Sequence, residues 1–101
     1  MVEVNKTAQG TVIAVTETNR ITVTNANELK TAVVDAITKD KTNVMLDLKE
    51  IKYMDSTGIS VLISGVKASR ENNLNFELQN VQVEVMKLLK LMKIDKIIDI
   101  R

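Results

Sequence analysis

Apolar and polar residues alternate along the first quarter of the chain. The alternation predicts short strands over residues 2–7, 11–17 and 20–24. Turn signals separate these segments, with Gly10 in the first turn and Asn19 in the second. The sequence therefore predicts that the chain opens with antiparallel strands joined by tight turns.

Helical spacing of the apolar residues begins after residue 24. A first helix is predicted to end near residues 39–41, and its cap is expected to be Thr24 or Asn25, because short polar side chains accept hydrogen bonds from the first backbone N–H groups of a helix. Its predicted buried face is formed by Ala26, Leu29, Val33, Ala36 and Ile37. A short apolar strand, residues 44–48, follows it.

A second helix is predicted over residues 57–71. Its predicted buried face is formed by Ile59, Leu62, Ile63 and Val66. A strip of small or short side chains is predicted to face away from them, formed by Thr57, Ser60, Val61, Ser64, Gly65 and Ala68. Such a strip allows another protein to approach closely, or a neighbouring helix of the same chain to pack there, and the pattern leaves both open.

The last part of the chain repeats the strand–helix order. A strand over residues 74–78 is followed by a third helix capped by Asn80, and the apolar tail 94–100 is expected to form a short helix or strand. The order predicts an α/β fold with a small mixed sheet of about four to five strands and helices packed mainly on one side. At 101 residues the chain is expected to form one domain, with a right-handed crossover if strands 44–48 and 74–78 are parallel.

Composition removes several classes of function. The chain has no Cys and no His, which excludes disulfides, thiol catalysis and the commonest metal ligand and general base. A net charge of +1 and only two aromatic residues give no reason to expect nucleic-acid binding. No apolar run reaches the ~18 residues that span a bilayer, and no secretory signal is recognisable, so we expect a cytoplasmic protein that does not bind membranes.

The segment Asp55-Ser56-Thr57-Gly58 joins the 44–48 strand region to the second helix and carries the candidate chemistry. Ordinary helix capping is one interpretation, because Asp, Ser and Thr are favoured N-caps. Chemical modification of a hydroxyl is the other. Catalysis by Ser56 would need an activating base, which only a lysine such as Lys49 or Lys52 could supply, and the segment does not match a phosphate-binding P-loop.

A phosphate on Ser56 is compatible with the local physics. It would carry about −1.5 to −2 charges at neutral pH. The positive end of the predicted helix favours this charge and Asp55 opposes it, so folding is expected to be nearly unaffected. A partner docked over the same spot would have to bury the added charge, so the switch is expected to act on binding.

Several segments together resemble the STAS domain family, and more narrowly the bacterial anti-sigma factor antagonists. The signature consists of Leu46-Asp47-Leu48, then Tyr53-Met54, then Asp55-Ser56-Thr57-Gly58-Ile59. Arg20-Ile21 followed by Asn25-Ala26-Asn27-Glu28-Leu29 resembles the entry to the family's first helix, and Leu78-Gln79-Asn80-Val81 its last strand and following helix. The chain departs from the family pattern at Asn19, often glycine, and at Thr22, often aspartate.

The resemblance implies a binding module that is not an enzyme and needs no cofactor. The implied partner is an anti-sigma factor that is also a serine kinase and binds the ATP itself. Binding of the unphosphorylated antagonist releases a sigma factor, phosphorylation of Ser56 breaks the complex, and a metal-dependent serine phosphatase reverses the modification. The resemblance implies a contact loop formed by Asp55, Ser56, Thr57, Gly58 and Ile59, and the strip of short side chains on the second helix adds Ser60 and Ser64 to the predicted contact surface.

Three questions stay open at this point. Thr57 is a second candidate for the phosphate. A STAS domain can instead serve as a scaffold subunit of a signalling assembly or as an accessory subunit of a membrane transporter, whereas an antagonist is expected to be a monomer when free. A Ser-Lys hydrolase is the enzymatic alternative.

Overall fold

A five-stranded mixed sheet lies at the centre of the computed structural model, which describes residues 1–101. The strands of the whole structure are β1 (Val2–Thr7), β2 (Gly10–Val15), β3 (Arg20–Ile21), β4 (Val44–Asp47), β5 (Tyr53–Met54), β6 (Phe76–Gln79) and β7 (Asp99–Ile100). The main sheet has the order β1-β2-β4-β6-β7, in which only β1 is antiparallel to its neighbour. Strands β3 and β5 form a separate parallel pair, called here the β3–β5 ribbon.

Three α-helices accompany the sheet. They are α1 (Val23–Thr38), α2 (Ser56–Glu71) and α3 (Val83–Leu91), and a 3-10 helix, Ile94–Lys96, precedes β7. Along β4 and β6 the side chains alternate between buried and half-buried, so one face of the sheet is covered more completely than the other. The predicted fold class, a small mixed sheet with packed helices, is confirmed.

A glycine sets the distance between α2 and the sheet. A Cβ atom at Gly65 would overlap the Phe76 ring of β6, lying 2.7 Å from its Cδ2 atom. Both residues are buried. The absence of a side chain at Gly65 therefore lets α2 pack directly against an aromatic ring of the sheet.

The structure corrects the predicted start of α1. Strand β3 ends at Ile21 and α1 begins at Val23, with Thr22 rather than Thr24 or Asn25 as its N-cap. The backbone N–H of Thr22 donates to Asn25 Oδ1 at 3.0 Å, so Asn25 closes the first turn from inside the helix. Strand β3 also pairs in parallel with β5 instead of antiparallel with β2, so only the β1–β2 part of the predicted antiparallel opening is correct.

The buried face of α2 is broader than the apolar pattern predicted. The apolar pattern predicts that Ile63 is buried, but 47% of its surface is exposed. The same pattern predicts that Val61, Gly65 and Ala68 lie on the outer strip, but all three are buried. Helix α2 buries two faces because it packs against α1 as well as near the sheet. For Val61, therefore, the correct alternative is that the strip of small side chains packs against a neighbouring helix of the same chain. Other differences are small: α3 begins after Gln82 rather than Asn80, and the tail forms both a 3-10 helix and a strand.

Candidate functional site

Both long helices begin where the β3–β5 ribbon ends. Strand β3 leads through Thr22 into α1, and β5 leads through Asp55 into α2. The ribbon pairs Ile21 with Met54, and the backbone N–H of Asp55 donates to the carbonyl of Ile21 at 3.2 Å. The parallel register therefore places the two helix N-termini side by side.

Asp55 is the N-cap of α2. Its backbone is extended, and Oδ1 accepts hydrogen bonds from the backbone N–H of Thr57 at 2.9 Å and of Gly58 at 3.2 Å. The hydroxyl of Thr57 donates to the same oxygen. This hydroxyl, assisted by the two backbone N–H groups and opposed by partial desolvation, holds the pKa of the Asp55 carboxyl below its ordinary value. The carboxylate thus stays ionised at neutral pH, directly beside Ser56.

Gly58 lets the first turn of α2 lie against the β3–β5 ribbon. A Cβ atom at this position would overlap Met54 Cγ and lie 3.1 Å from both the Cγ2 and the carbonyl oxygen of Ile21. Met54 and Ile21 are themselves buried, so neither side chain can swing into solvent. The glycine is needed here for close packing, because any side chain would push the helix away from the ribbon.

Ser56 occupies the first helical position of α2 and is exposed. Its hydroxyl makes no hydrogen bond within the chain, because Asp55 already performs the capping. The hydroxyl of Thr57, in contrast, is half-buried and bonded to Asp55. Of the two hydroxyls that the sequence left as candidates for modification, that of Ser56 is the free one.

A cleft opens between the first turns of α1 and α2, next to this hydroxyl. We call it the α1–α2 cleft; its volume is about 270 Å³. Its walls are formed by Val23, Ala26, Asn27 and Lys30 of α1 and by Ser56, Thr57, Ser60 and Val61 of α2. Lys30 is the one charged residue among them, and Val23, with 76% of its surface exposed, presents an apolar side chain at the cleft.

The structure brings three of the predicted contact residues, Ser56, Thr57 and Ser60, together in this cleft. Ser60 is exposed and Ser64 is half-buried. Gly58 and Ile59 are buried, Ile59 with only 4% of its surface exposed. In the free chain these two residues therefore shape the loop from within, and their contact with a partner stays a prediction.

The contribution of α1 to the cleft was not foreseen from the sequence. The apolar alternation predicts a strand over residues 20–24 that includes Val23, and Lys30 lies outside the predicted buried face of the first helix. Their spacing along one side of α1 is visible in the sequence, but which side of which helix it would meet depends on how α1 and α2 pack. Within the β3–β5 ribbon, the Arg20 guanidinium stacks 4.6 Å from the centre of the half-exposed Tyr53 ring.

Comparison with known proteins shows which family and which solved structures this chain is similar to. The family model described as the STAS domain matches residues 3–101. An anti-sigma-factor antagonist (STAS) domain protein from Planctomyces limnophilus is 23% identical with a TM-score of 0.85, covering 99% of this chain and 87% of that chain. A putative anti-sigma factor antagonist from Thermotoga maritima is 22% identical with a TM-score of 0.82, covering 98% and 84%.

A third similar structure is the anti-sigma factor antagonist SpoIIAA in its unphosphorylated form. It is 12% identical, with a TM-score of 0.74 over 90% of this chain and 83% of that chain. At these identities the structural likeness establishes the fold. No helix of the structure has the length and apolar character required to cross a membrane. Because the family model spans nearly the whole sequence, the chain belongs to the STAS domain family.

Proposed function

We propose that this STAS domain is an anti-sigma factor antagonist switched by phosphorylation of Ser56. In its unphosphorylated form it binds an anti-sigma factor that is also an ATP-dependent serine kinase, and this binding frees a sigma factor. The observation that carries the proposal is the exposed hydroxyl of Ser56, which has no partner within the chain although it lies at the first turn of a capped helix. A free, exposed hydroxyl is what a kinase acting on this loop requires.

The chemistry is supplied by the partners. The Ser56 oxygen attacks the γ-phosphorus of ATP held by the kinase, the bond from that phosphorus to the β–γ bridging oxygen breaks, and ADP leaves while the hydroxyl proton passes to a base of the kinase or to water. In the reverse step water attacks the phosphoserine, and a phosphatase releases inorganic phosphate and restores the hydroxyl. The antagonist contributes only the acceptor and the surface around it.

Electrostatics explain why such a modification would control binding. Phosphorylation adds about −1.5 to −2 charges at neutral pH beside the Asp55 carboxylate, which is ionised at that pH because its pKa lies below the ordinary value of 3.8. In the free protein this charge stays in water because Ser56 is exposed. In a complex the partner would have to remove both charges from water, and unpaired buried charge is strongly unfavourable. The phosphorylated form therefore leaves the partner while the fold persists.

The neighbouring surface suits a protein partner. Val23 presents an exposed apolar side chain, and Ser56, Thr57 and Ser60 present short side chains that do not obstruct close approach. An interface of this kind combines an apolar anchor with polar groups that accept hydrogen bonds. A negative charge introduced at Ser56 falls within this surface and is expected to weaken binding far more than the same charge elsewhere.

The test is the capture of partners from the protein's own cells with four tagged forms. Wild type and Ser56→Ala should retain a protein kinase partner, and Ser56→Asp should lose it. Thr31→Asp is the matched control, because it adds the same charge at an exposed position of α1 outside the cleft. Wild-type protein from growing and stressed cells should also show one phosphate, on Ser56, whose occupancy changes.

Three results would overturn the proposal. Retention of the same partner by Ser56→Asp would show that charge at this position does not control binding. Absence of phosphate under all conditions would favour the constitutive roles, in which the protein elutes within a large particle as a scaffold subunit or co-purifies with membranes as a transporter subunit. Labelling of Ser56 by a serine-directed covalent probe would instead favour the hydrolase.

A further inference from the structure

A phosphate on Ser56 would find most of the adjacent helix N-terminus already occupied. The first four N–H groups of a helix have no partner inside the helix and ordinarily attract anions. In α2 the N–H groups of Thr57 and Gly58 donate to the Asp55 side chain, and that of Asp55 donates to the Ile21 carbonyl oxygen at 3.2 Å, which leaves only the N–H of Ser56 without a partner. A full positive charge to pair with a phosphate would therefore come from a side chain on another element.

The α1–α2 cleft offers that counter-charge. Lys30 is exposed, lines the same cleft as Ser56 and takes part in no ion pair within the chain. Asn27 lies one turn before it on α1, and Ser60 lies one turn after Ser56 on α2, so both helices direct hydrogen-bonding groups to the same opening. At about 270 Å³ the cleft has room for a phosphoryl group.

We propose that the α1–α2 cleft receives the phosphoryl group of phosphorylated Ser56, with Lys30 as its counter-ion and with Asn27 and Ser60 as hydrogen-bond partners. The proposal rests on the proposed function only in that Ser56 is the residue that carries the phosphate. A lysine ammonium is a compact charge on a flexible stem, so it can follow the phosphate without displacement of either helix. The phosphate would thereby be held by α1 as well as by α2.

Two consequences follow for the switch. The phosphoryl group would fill the cleft as well as charge it, so a partner side chain that enters the cleft would be excluded by volume and by charge together. A phosphate paired with Lys30 would also be less accessible to enzymes that remove it. Lys30 would then set the lifetime of the phosphorylated state while making no contribution to the phosphoryl transfer itself.

The decisive experiment uses the full chain with phosphoserine incorporated at position 56 during synthesis, followed by phosphorus NMR across pH. Loss of the cation in Lys30→Gln should raise the second pKa of the phosphoserine by about 0.5 unit, because a nearby cation favours the dianion. Asp55 acts on the phosphate in both forms, so its effect cancels. The difference should shrink in high salt, as expected for a partly exposed pair.

Lys67→Gln is the matched control. Lys67 is also exposed and free of ion pairs, but it lies eleven residues beyond Ser56 on α2, about 16 Å along the helix. Its loss should leave the phosphoserine pKa unchanged. Equal pKa values in wild type, Lys30→Gln and Lys67→Gln would overturn the proposal, as would equal shifts in both variants, which would indicate only a change in net charge.

A kinetic measurement gives a second, independent readout. A non-specific phosphatase should remove the phosphate several-fold faster from Lys30→Gln than from wild type or Lys67→Gln, and equal rates would contradict the proposal. Because the phosphoserine is built in, neither experiment needs the kinase. Absence of phosphate in cells would contradict the proposed function but would not affect these results. Conversely, NMR pKa values and dephosphorylation rates that do not change in Lys30→Gln would contradict the role of Lys30 but would not affect the proposed function.

Discussion

The N-termini of α1 and α2 leave the same ribbon side by side, yet they satisfy their backbone groups in different ways. In α1 two side chains cap the helix. Thr22 accepts from the N–H of Thr24 at 3.4 Å. Asn25 accepts from the N–H of Thr22 and donates to the carbonyl of Arg20 at 2.9 Å. In α2 a single carboxylate, that of Asp55, accepts from two backbone N–H groups and one hydroxyl.

The reason for the difference lies at the third helical position. It is Asn25 in α1, where the side chain has room to reach back to the cap. It is Gly58 in α2, where any side chain would collide with Met54 and Ile21. Because Gly58 can offer no side chain, Asp55 must cap the helix alone. The hydroxyl at the first position, Ser56, is then left without a structural task, which suits it to a regulatory one.

The largest expected effect comes from filling the packed third position. Gly58→Ala should lower the melting temperature by about 5–10 °C, because overpacking a rigid core outweighs the gain in helix propensity. Thermal unfolding followed by circular dichroism measures the change. Ser60→Ala, at an exposed position of the same helix, is the control and should be neutral or slightly stabilising. A higher melting temperature for Gly58→Ala would show that propensity alone governs this turn.

Removal of the single cap is next in size. Asp55→Ala should lower the melting temperature by about 5 °C, since three hydrogen bonds lose their acceptor. Asp55→Asn keeps an acceptor oxygen and should recover a large part of the loss. If Asp55→Ala were as stable as wild type, the division of capping between the two helices inferred above would be wrong.

A smaller effect should appear in the pH dependence of stability. The hydrogen bonds hold the pKa of folded Asp55 below its ordinary value of 3.8, so the ionised form favours the folded state. The stabilisation is fully present above pH 3.8 and is lost as the pH falls through the lower pKa of the folded state. The melting temperature of wild type should therefore exceed that of Asp55→Asn by a constant amount from pH 7 to about pH 5, and this difference should shrink below pH 3.8. A difference in melting temperature that grows on acidification would contradict the predicted direction of the pH dependence.

Much of this architecture could be predicted from the sequence because it depends on local patterns. The strand at Val44–Asp47 and the extent of α2 follow from apolar runs and helical spacing, and the structure agrees with both to within one residue. The two-residue strand β5 could not be predicted, because its only partner, β3, is distant in the sequence and equally short. Short pairings of this kind exist only once the rest of the fold is in place.

The candidate site could likewise be predicted from the sequence only in part. The segment around Ser56 could be identified from residue types, but the sequence could not say which of Asp55, Ser56 and Thr57 would act as the cap. That assignment depends on where β5 ends and α2 begins, and β5 exists only through its pairing with β3. The cleft wall formed by α1 depends on helix–helix packing, which the apolar pattern does not determine. Ile63 shows this limit, because its apolar character predicted burial but the packing leaves it exposed.

The smallest expected effect on stability belongs to Ser56 itself. Its hydroxyl has no partner within the chain, so Ser56→Ala should leave the melting temperature within about 2 °C of wild type. Ser56→Asp should stay within a few degrees as well, because Asp55 keeps the cap and an acidic residue is tolerated in the first turn. Thr57→Ala is the matched comparison; it removes a hydroxyl that is bonded to Asp55 and should cost more than Ser56→Ala. A large loss of stability in Ser56→Ala would mean that the hydroxyl is structural, and it would undermine the view that α2 leaves this group free for a partner to modify.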